Sequence, residues 1–384
     1  MNRTEQLLLQ TIQSSLWHRS AAFPADADWD AVLREAKEQT VLGIVFPMAP
    51  AQAQAAWRGR DAAQLSHVVR LLHQQEQLCS LLESNRIPLV ILKGTAAAVY
   101  YPDPFRRTMG DIDFLVPPSH VDAARALLTC NGYDVREEER YPRHIHIYKD
   151  GIRFELHRFF SGEDTVVERY IREGFDHIER RRVGEAEFPM LPRVANGLVL
   201  LEHMGRHLKT GLGLRQLIDW MMYVHCELND ALWDRSFQAA AMQANLDALA
   251  VTATRLCQLH LGLSGEILWC KGADAELCEA LLQSLLSSGN FDRKRGKGNR
   301  IESVTANVAR NGLFRYLQRA GERNWTVCQR HRWLKPFAWA YQIGRYARLG
   351  LRVKRKGTPV LDNLARGRRR SELLKKLKLD SPDI

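Results

Sequence analysis

The dipeptide Asp150-Gly151 constrains the fold of this 384-residue chain more than any other feature. It lies between two stretches of alternating character, 143–149 and 152–158. Asp-Gly is a strong signal for a two-residue turn joining antiparallel strands. Such a turn opposes residues whose numbers sum to 301, so Phe154 faces Ile147 and Leu156 faces Ile145 on an apolar face. The other face collects His144, His146, Tyr148, Arg153, Glu155 and His157, with His146 opposite Glu155 and His144 opposite His157. One side is expected to pack and the other to carry polar, functional groups.

Two further strands are expected upstream. The run 87–92, Ile-Pro-Leu-Val-Ile-Leu, is short, apolar and rich in branched residues, as in a strand covered on both faces. It ends in Lys93-Gly94-Thr95, where a small-residue helix begins. The second strand spans 111–116, and after Pro117-Pro118 a helix is expected with Ser119 as its cap and Gly132 at its end. Residues 1–85 read as helices, with Asp26 or Asp28 capping one of them. From about residue 163 the chain is expected to return to helix.

The chemistry centres on the second strand. Asp111 and Asp113 are two apart, so their side chains leave one face while Ile112 and Phe114 enter the core. Carboxylates held side by side repel unless a cation lies between them, and Mg²⁺ (or Mn²⁺) suits such a set because it bridges to substrate phosphates. A pair of ions would serve the attacking hydroxyl and the leaving pyrophosphate. Glu155, central on a neighbouring polar face, is the best third carboxylate. Gly94 permits close backbone approach where a strand turns into a helix. Lys93, Thr95 and Arg107 are the candidate donors to a triphosphate. His144, His146 and His157 are candidates to orient Glu155 or to touch substrate.

The stretch LKGTAAAVYYPDPFRRTMGDIDFLV, followed by IRFELH, resembles the polymerase-β nucleotidyltransferase superfamily, and most of all its bacterial family of uncharacterised nucleotidyltransferases. The likeness continues in LEHMGRHLKTGLGLRQLIDW, SSGNF and RWLKPFAWAYQIGRY, covering roughly residues 80–346. It implies that Gly94 and Thr95 lie in the triphosphate turn. It also implies that Asp111, Asp113 and Glu155 bind two divalent metals. The superfamily turn is commonly Gly-Gly or Gly-Ser; here it is Gly-Thr preceded by Lys93.

The expected fold is α+β: a small mixed sheet of four or five strands with flanking helices inside a mostly helical protein. The expected divisions are 1–85 (helical), 86–162 (catalytic core), 163–290 (helical) and 291–384 (basic, aromatic, helical). Residues 291–384 hold about 25 Lys and Arg against 7 Asp and Glu, so the net charge of +11 is concentrated there. An anionic partner, RNA or a membrane surface, would suit residues 350–384. A solvated helical face is the plain alternative. Seven scattered cysteines without paired spacing read as reduced thiols. With no apolar run of the ~20 residues a span needs, a cytoplasmic location is expected, peripheral attachment to a membrane remaining open.

The function expected is transfer of a nucleoside monophosphate from an NTP to an unknown acceptor, a small molecule or saccharide favoured, with release of pyrophosphate. RNA or protein modification using the basic tail, and a non-catalytic scaffold at an anionic surface, are the alternatives. His203 and His207 lie at i and i+4 on a helix, but with no third ligand evident they are expected to pack rather than to bind zinc. Arg215 and Asp219 match the pattern of the family this chain resembles, and an ion pair along one helix face explains them equally well.

Overall fold

The computed structural model describes residues 1–136, 144–289, 313–354 and 360–379. The chain divides into two compact units, Met1–Phe291 and Asp292–Ile384. Arg143, the end of the SSGNF stretch, and the side chains of 352–356 and Arg366 lie outside the described residues.

The first unit opens with helices α1 (Arg3–Leu16), α2 (Trp29–Glu38), α3 (Leu42–Val45) and the long α4 (Ala51–Ser84). Asp28, not Asp26, caps α2 by accepting from the Ala31 amide. There follow β1 (Val90–Leu92), α5 (Gly94–Ala98), β2 (Ile112–Leu115), α6 (Val121–Cys130), β3 (Asp134–Arg136), β4 (His144–Lys149) and β5 (Ile152–His157). Then come α7 (Val166–Gly174), β6 (Glu179–Val183), β7 (Ala186–Met190), α8 (Arg193–Thr210) and α9 (Leu214–Glu227). Helices at Asp247–His260 and Ala275–Ser288 close the unit.

The strands form one mixed sheet in the order β3-β4-β5-β2-β1-β7-β6. Pairing is parallel between β2 and β5 and between β1 and β7, and antiparallel elsewhere. The β4–β5 register is the expected one, with His144 against His157 and His146 against Glu155. Apolar residues of one face, Ile112, Phe114, Ile145, Ile147, Phe154 and Leu156, are buried. The β2–β5 ladder sets Asp113 directly beside Glu155. Two carboxylates on neighbouring strands are therefore dictated by register.

Among the described residues, seven strands replace the expected four or five. The additions are β3 at one edge and the β6–β7 hairpin at the other, so the chain beyond residue 163 does not return wholly to helix. Their residues explain why. β3 is Asp-Val-Arg, and β6 is Glu-Arg-Arg-Arg-Val, whose Arg180 pairs with Glu187 of β7 and Glu83 of α4. Charged edges deter pairing with other chains and erase the apolar alternation that marks a strand. Ser119 does not cap α6: it lies in a 3₁₀ turn (Pro118–His120), and His120 occupies the cap position with no side-chain bond to the helix. Gly132 follows α6 with φ of 79°, the left-handed conformation a glycine permits.

The second unit contains helices at Leu313–Asn324, Thr326–Arg330, Ala338–Lys354 and Val360–Lys376. Trp325 stacks on Tyr341 with ring centroids 5.1 Å apart, and the Tyr316 and Tyr346 hydroxyls are 2.7 Å apart. Trp333 and Phe337 are exposed, as are Arg368 and Arg369, whereas Arg370 is buried. Among the described residues, no helix is long and apolar enough to cross a membrane.

Candidate active site

The polar face of β2 and β5 is completed by the turn after β1. Lys93 has φ 51° and ψ −112°, a conformation that suits glycine far better than lysine. Gly94 brings its backbone close to Asp111: a Cβ there would lie 3.6 Å from the Asp111 carbonyl oxygen. The strained turn aims Lys93 inward, where Nζ lies 2.5 Å from Oδ1 of Asp113. Nε2 of His157 is 2.8 Å from the same oxygen. Asp111, just before β2, pairs with the Arg153 guanidinium, which also reaches within 3.6 Å of Glu155 Oε1. Phe160 lies beside this cluster, its ring 5.6 Å from Lys93 Nζ and 4.1 Å from the Arg206 guanidinium.

The charges explain the titration behaviour. Burial opposes ionisation of Asp113, but the Lys93 ammonium and the His157 hydrogen bond hold its carboxyl well below the usual range. Burial, reinforced by the charges of Asp113 and Asp111, pushes Glu155 up to about 7. Burial and the Lys93 charge push His157 down to about 4, outweighing its bond to Asp113. His144 is lowered by burial and by His146. Lys93 and Arg153 thus pair closely with Asp113 and Asp111, and Glu155 shares Arg153 at the longer distance of 3.6 Å.

The family described as uncharacterised nucleotidyltransferase matches residues 25–262, which include every strand and the whole of this cluster. The chain belongs to that family. A crystal structure of an antigenic nucleotidyltransferase-like protein from Paracoccidioides brasiliensis is similar at 15% identity and a TM-score of 0.33, over 50% of this chain and 93% of that one. No curated protein matches.

In this nucleotidyltransferase the residues singled out from sequence take different places. Asp113 and Glu155 lie side by side, Asp111 joins Glu155 through Arg153, and Lys93 and Gly94 form the turn above. Thr95 faces inward instead: it is buried, and its hydroxyl donates to Gln75 Oε1 at 2.7 Å. Arg107 also lies apart from the carboxylates of the sheet face. Its Nε and Nη2 each donate to Asp219 at 2.7 Å, with both side chains buried, and the Tyr101 hydroxyl donates to the same carboxylate. Asp219 therefore pairs with Arg107 and not with Arg215 along its own helix.

Among the described residues, two groups of side chains have the donors a metal requires: Asp113, Glu155 and His157, and His144, His146 and Glu155. The carboxylates fit a divalent cation. The observation is that two side-chain cations, Lys93 Nζ and the Arg153 guanidinium, already act as counter-ions to Asp113 and Asp111 there.

Arg215, which the sequence set beside Asp219, is a member of these surroundings. Its Nη1 donates to the Thr108 carbonyl at 3.0 Å, and Asp111 is among the charges acting on it while burial lowers its pKa. His203 and His207 of α8 cross edge to face with centroids 4.4 Å apart. Burial lowers both, His207 to about 3, with Lys93, Arg206 and Arg215 adding to the effect. They are neutral at pH 7 and, among the described residues, belong to no group of three metal-ligating side chains.

Proposed function

We propose that this protein is a metal-dependent enzyme that transfers a nucleoside monophosphate from an NTP to an acceptor hydroxyl and releases pyrophosphate. The observation that carries the reading is the side-by-side placement of Asp113 and Glu155 on one sheet face, with Asp111 linked to Glu155 through Arg153. Asp111, Asp113 and Glu155 would hold Mg²⁺ or Mn²⁺, two ions by the resemblance to the polymerase-β superfamily. A bound divalent cation would neutralise charge on the phosphates and lower the pKa of the acceptor hydroxyl.

The chain's own groups do the remaining work. Lys93, with Gly94 in the turn, and Arg215 on the α9 side of Asp111 are the donors proposed for the triphosphate. Arg107 and Thr95 are left out, because one is bound to Asp219 and the other to Gln75. The acceptor oxygen forms a bond to the α-phosphorus, the bond from that phosphorus to the bridging oxygen breaks, and pyrophosphate leaves with that oxygen. Glu155, beside Asp113 on the sheet face, takes the acceptor's proton. His157 holds Asp113 in place.

Label transfer tests the reading. The protein is incubated with each α-³²P-NTP, Mg²⁺ or Mn²⁺ and cell extract, which is then separated into protein, RNA and small-molecule fractions. Transfer by wild type and none by Asp113→Asn or Glu155→Gln is the expected outcome, and the labelled fraction names the acceptor class. Equal labelling by the variants, or no nucleotide binding by wild type in a direct titration, rejects the enzyme.

A further inference from the structure

The same sheet face carries a second set of donors beyond Asp111 and Asp113. His144 and His146 are two apart on β4, so both rings leave the face that bears Glu155. The ladder pairs His146 directly with Glu155. One ligand atom from each of His144, His146 and Glu155 lies within 4.8 Å of the other two. Nδ1 of His146 is 3.7 Å from Oε1 of Glu155, too long for a hydrogen bond. It is near the roughly 3.0–3.4 Å that separates two ligand atoms on one ion when each bond is about 2.1 Å. The two imidazole planes meet at 83°, so neither ring lies flat over the other.

We infer that His144, His146 and Glu155 form a site for a first-row transition dication of the zinc class. The donor set decides the class. Mg²⁺ selects oxygen ligands, whereas two imidazole nitrogens with one carboxylate suit zinc and its neighbours. Two histidines and a glutamate also make an open zinc site, with at least one position left for water or another oxygen ligand. Glu155 has an oxygen for each set: Oε1 faces His146, and Oε2 lies 3.9 Å from His157 Nε2. This inference depends on the nucleotidyl-transfer reading only through Glu155, which both sets share.

The test uses the full-length protein, stripped of metal and free of nucleotide, titrated with Co²⁺ as a spectroscopic stand-in for Zn²⁺. One Co²⁺ per chain is expected, with visible d–d bands that Zn²⁺ abolishes and a large excess of Mg²⁺ does not. His144→Ala and His146→Ala should each weaken binding by at least about a hundredfold, since loss of even a supporting partner of a ligand costs about 10–100-fold. In wild type, contact-shifted imidazole N–H resonances report the ligands without any variant, which covers the case of a variant that fails to fold. Absence of those resonances, displacement by Mg²⁺, or binding unchanged in both folded variants overturns the site. Binding of a fluorescent NTP in Mg²⁺ is measured alongside. Nucleotide binding without imidazole-bound Co²⁺ rejects this site and leaves nucleotidyl transfer standing; histidine-bound Co²⁺ without nucleotide binding does the reverse.

Discussion

Removing the Asp219 carboxylate tests the interior rather than the chemistry. Arg107 and Asp219 are 3% and 4% exposed and share two hydrogen bonds of 2.7 Å, and the Tyr101 hydroxyl donates to the same carboxylate. Asp219→Ala would leave a guanidinium buried without its counter-charge and a buried hydroxyl without its acceptor. Breaking a buried pair costs about 3–5 kcal/mol, and the stranded hydroxyl adds about 1 kcal/mol or more. A total of about 4–6 kcal/mol is a large part of the ~5–15 kcal/mol that keeps a domain folded. At about 2 °C per kcal/mol for a large domain, Tm should fall by about 8–12 °C. The double variant Arg107→Met with Asp219→Leu should recover most of that loss, because an apolar pair of similar volume is commonly no worse than a buried ion pair. The assay is thermal and urea unfolding of both variants, with NTP binding measured below the lower Tm. A Tm drop of less than about 2 °C for Asp219→Ala would refute the reasoning. So would a double variant that folds like wild type and no longer binds NTP, which would return Arg107 to the triphosphate.

Three other outcomes follow from the site and its supports. Glu155, raised to about 7, holds its proton more tightly folded than unfolded, so its contribution to stability falls as pH rises from about 4.5 to 7. His157, lowered to about 4, has the opposite sign, and its contribution is lost as pH falls from 6.5 through 4. Glu155→Gln should therefore steepen the loss of stability between pH 6.5 and 4.5 by up to about 1.4 kcal/mol per pH unit; urea midpoints parallel to wild type would contradict this. Lys93→Gly and Lys93→Ala both remove the partner of Asp113, but only glycine relieves the φ of 51°. The glycine variant should be the more stable by about 1–3 kcal/mol in urea unfolding, and equal midpoints would show that the turn is unstrained. At Gly197 a Cβ would lie 2.3 Å from the Tyr223 hydroxyl. Gly197→Ala should destabilise by about 1–3 kcal/mol through overpacking despite the better helix propensity of alanine, and a higher Tm would rule the clash out.

What the sequence made legible was local. Asp150-Gly151 sets the β4–β5 register, so the neighbours of Glu155 on β4 follow from counting. Spacing of two puts Asp111 and Asp113 on one side of the chain, and apolar alternation puts Ile112, Phe114, Phe154 and Leu156 on the other. Partnerships between distant segments were not legible. Arg107 reads as a cation available to phosphate until α9 brings Asp219 to it across 112 positions. Thr95 reads as a turn hydroxyl until Gln75 of α4 claims it. The edge strands β3 and β6 escaped because their charged residues serve negative selection against edge pairing and carry no apolar period. The Pro117-Pro118 pair produced a 3₁₀ turn that shifted the α6 cap by one residue.

The charge balance of the site gives its parts a common logic. Three carboxylates face Lys93 and Arg153, with Arg215 near Asp111, while the neighbouring His157, His203 and His207 are held neutral by burial. Burial, with the charges of Asp113 and Asp111 added to it, raises Glu155 to about 7. Adding positive charge beside Glu155 would favour its ionised form, so cation binding and readiness to accept a proton are linked at one residue. Competition for Asp111 and Asp113 would also release Arg153 and Lys93 from their present partners, and a released cation in a partly buried site seeks an anion. The phosphates of a nucleotide supply one. On the proposed reading Lys93, which stabilises the sheet face alone at the cost of a strained backbone, would be a group the substrate needs.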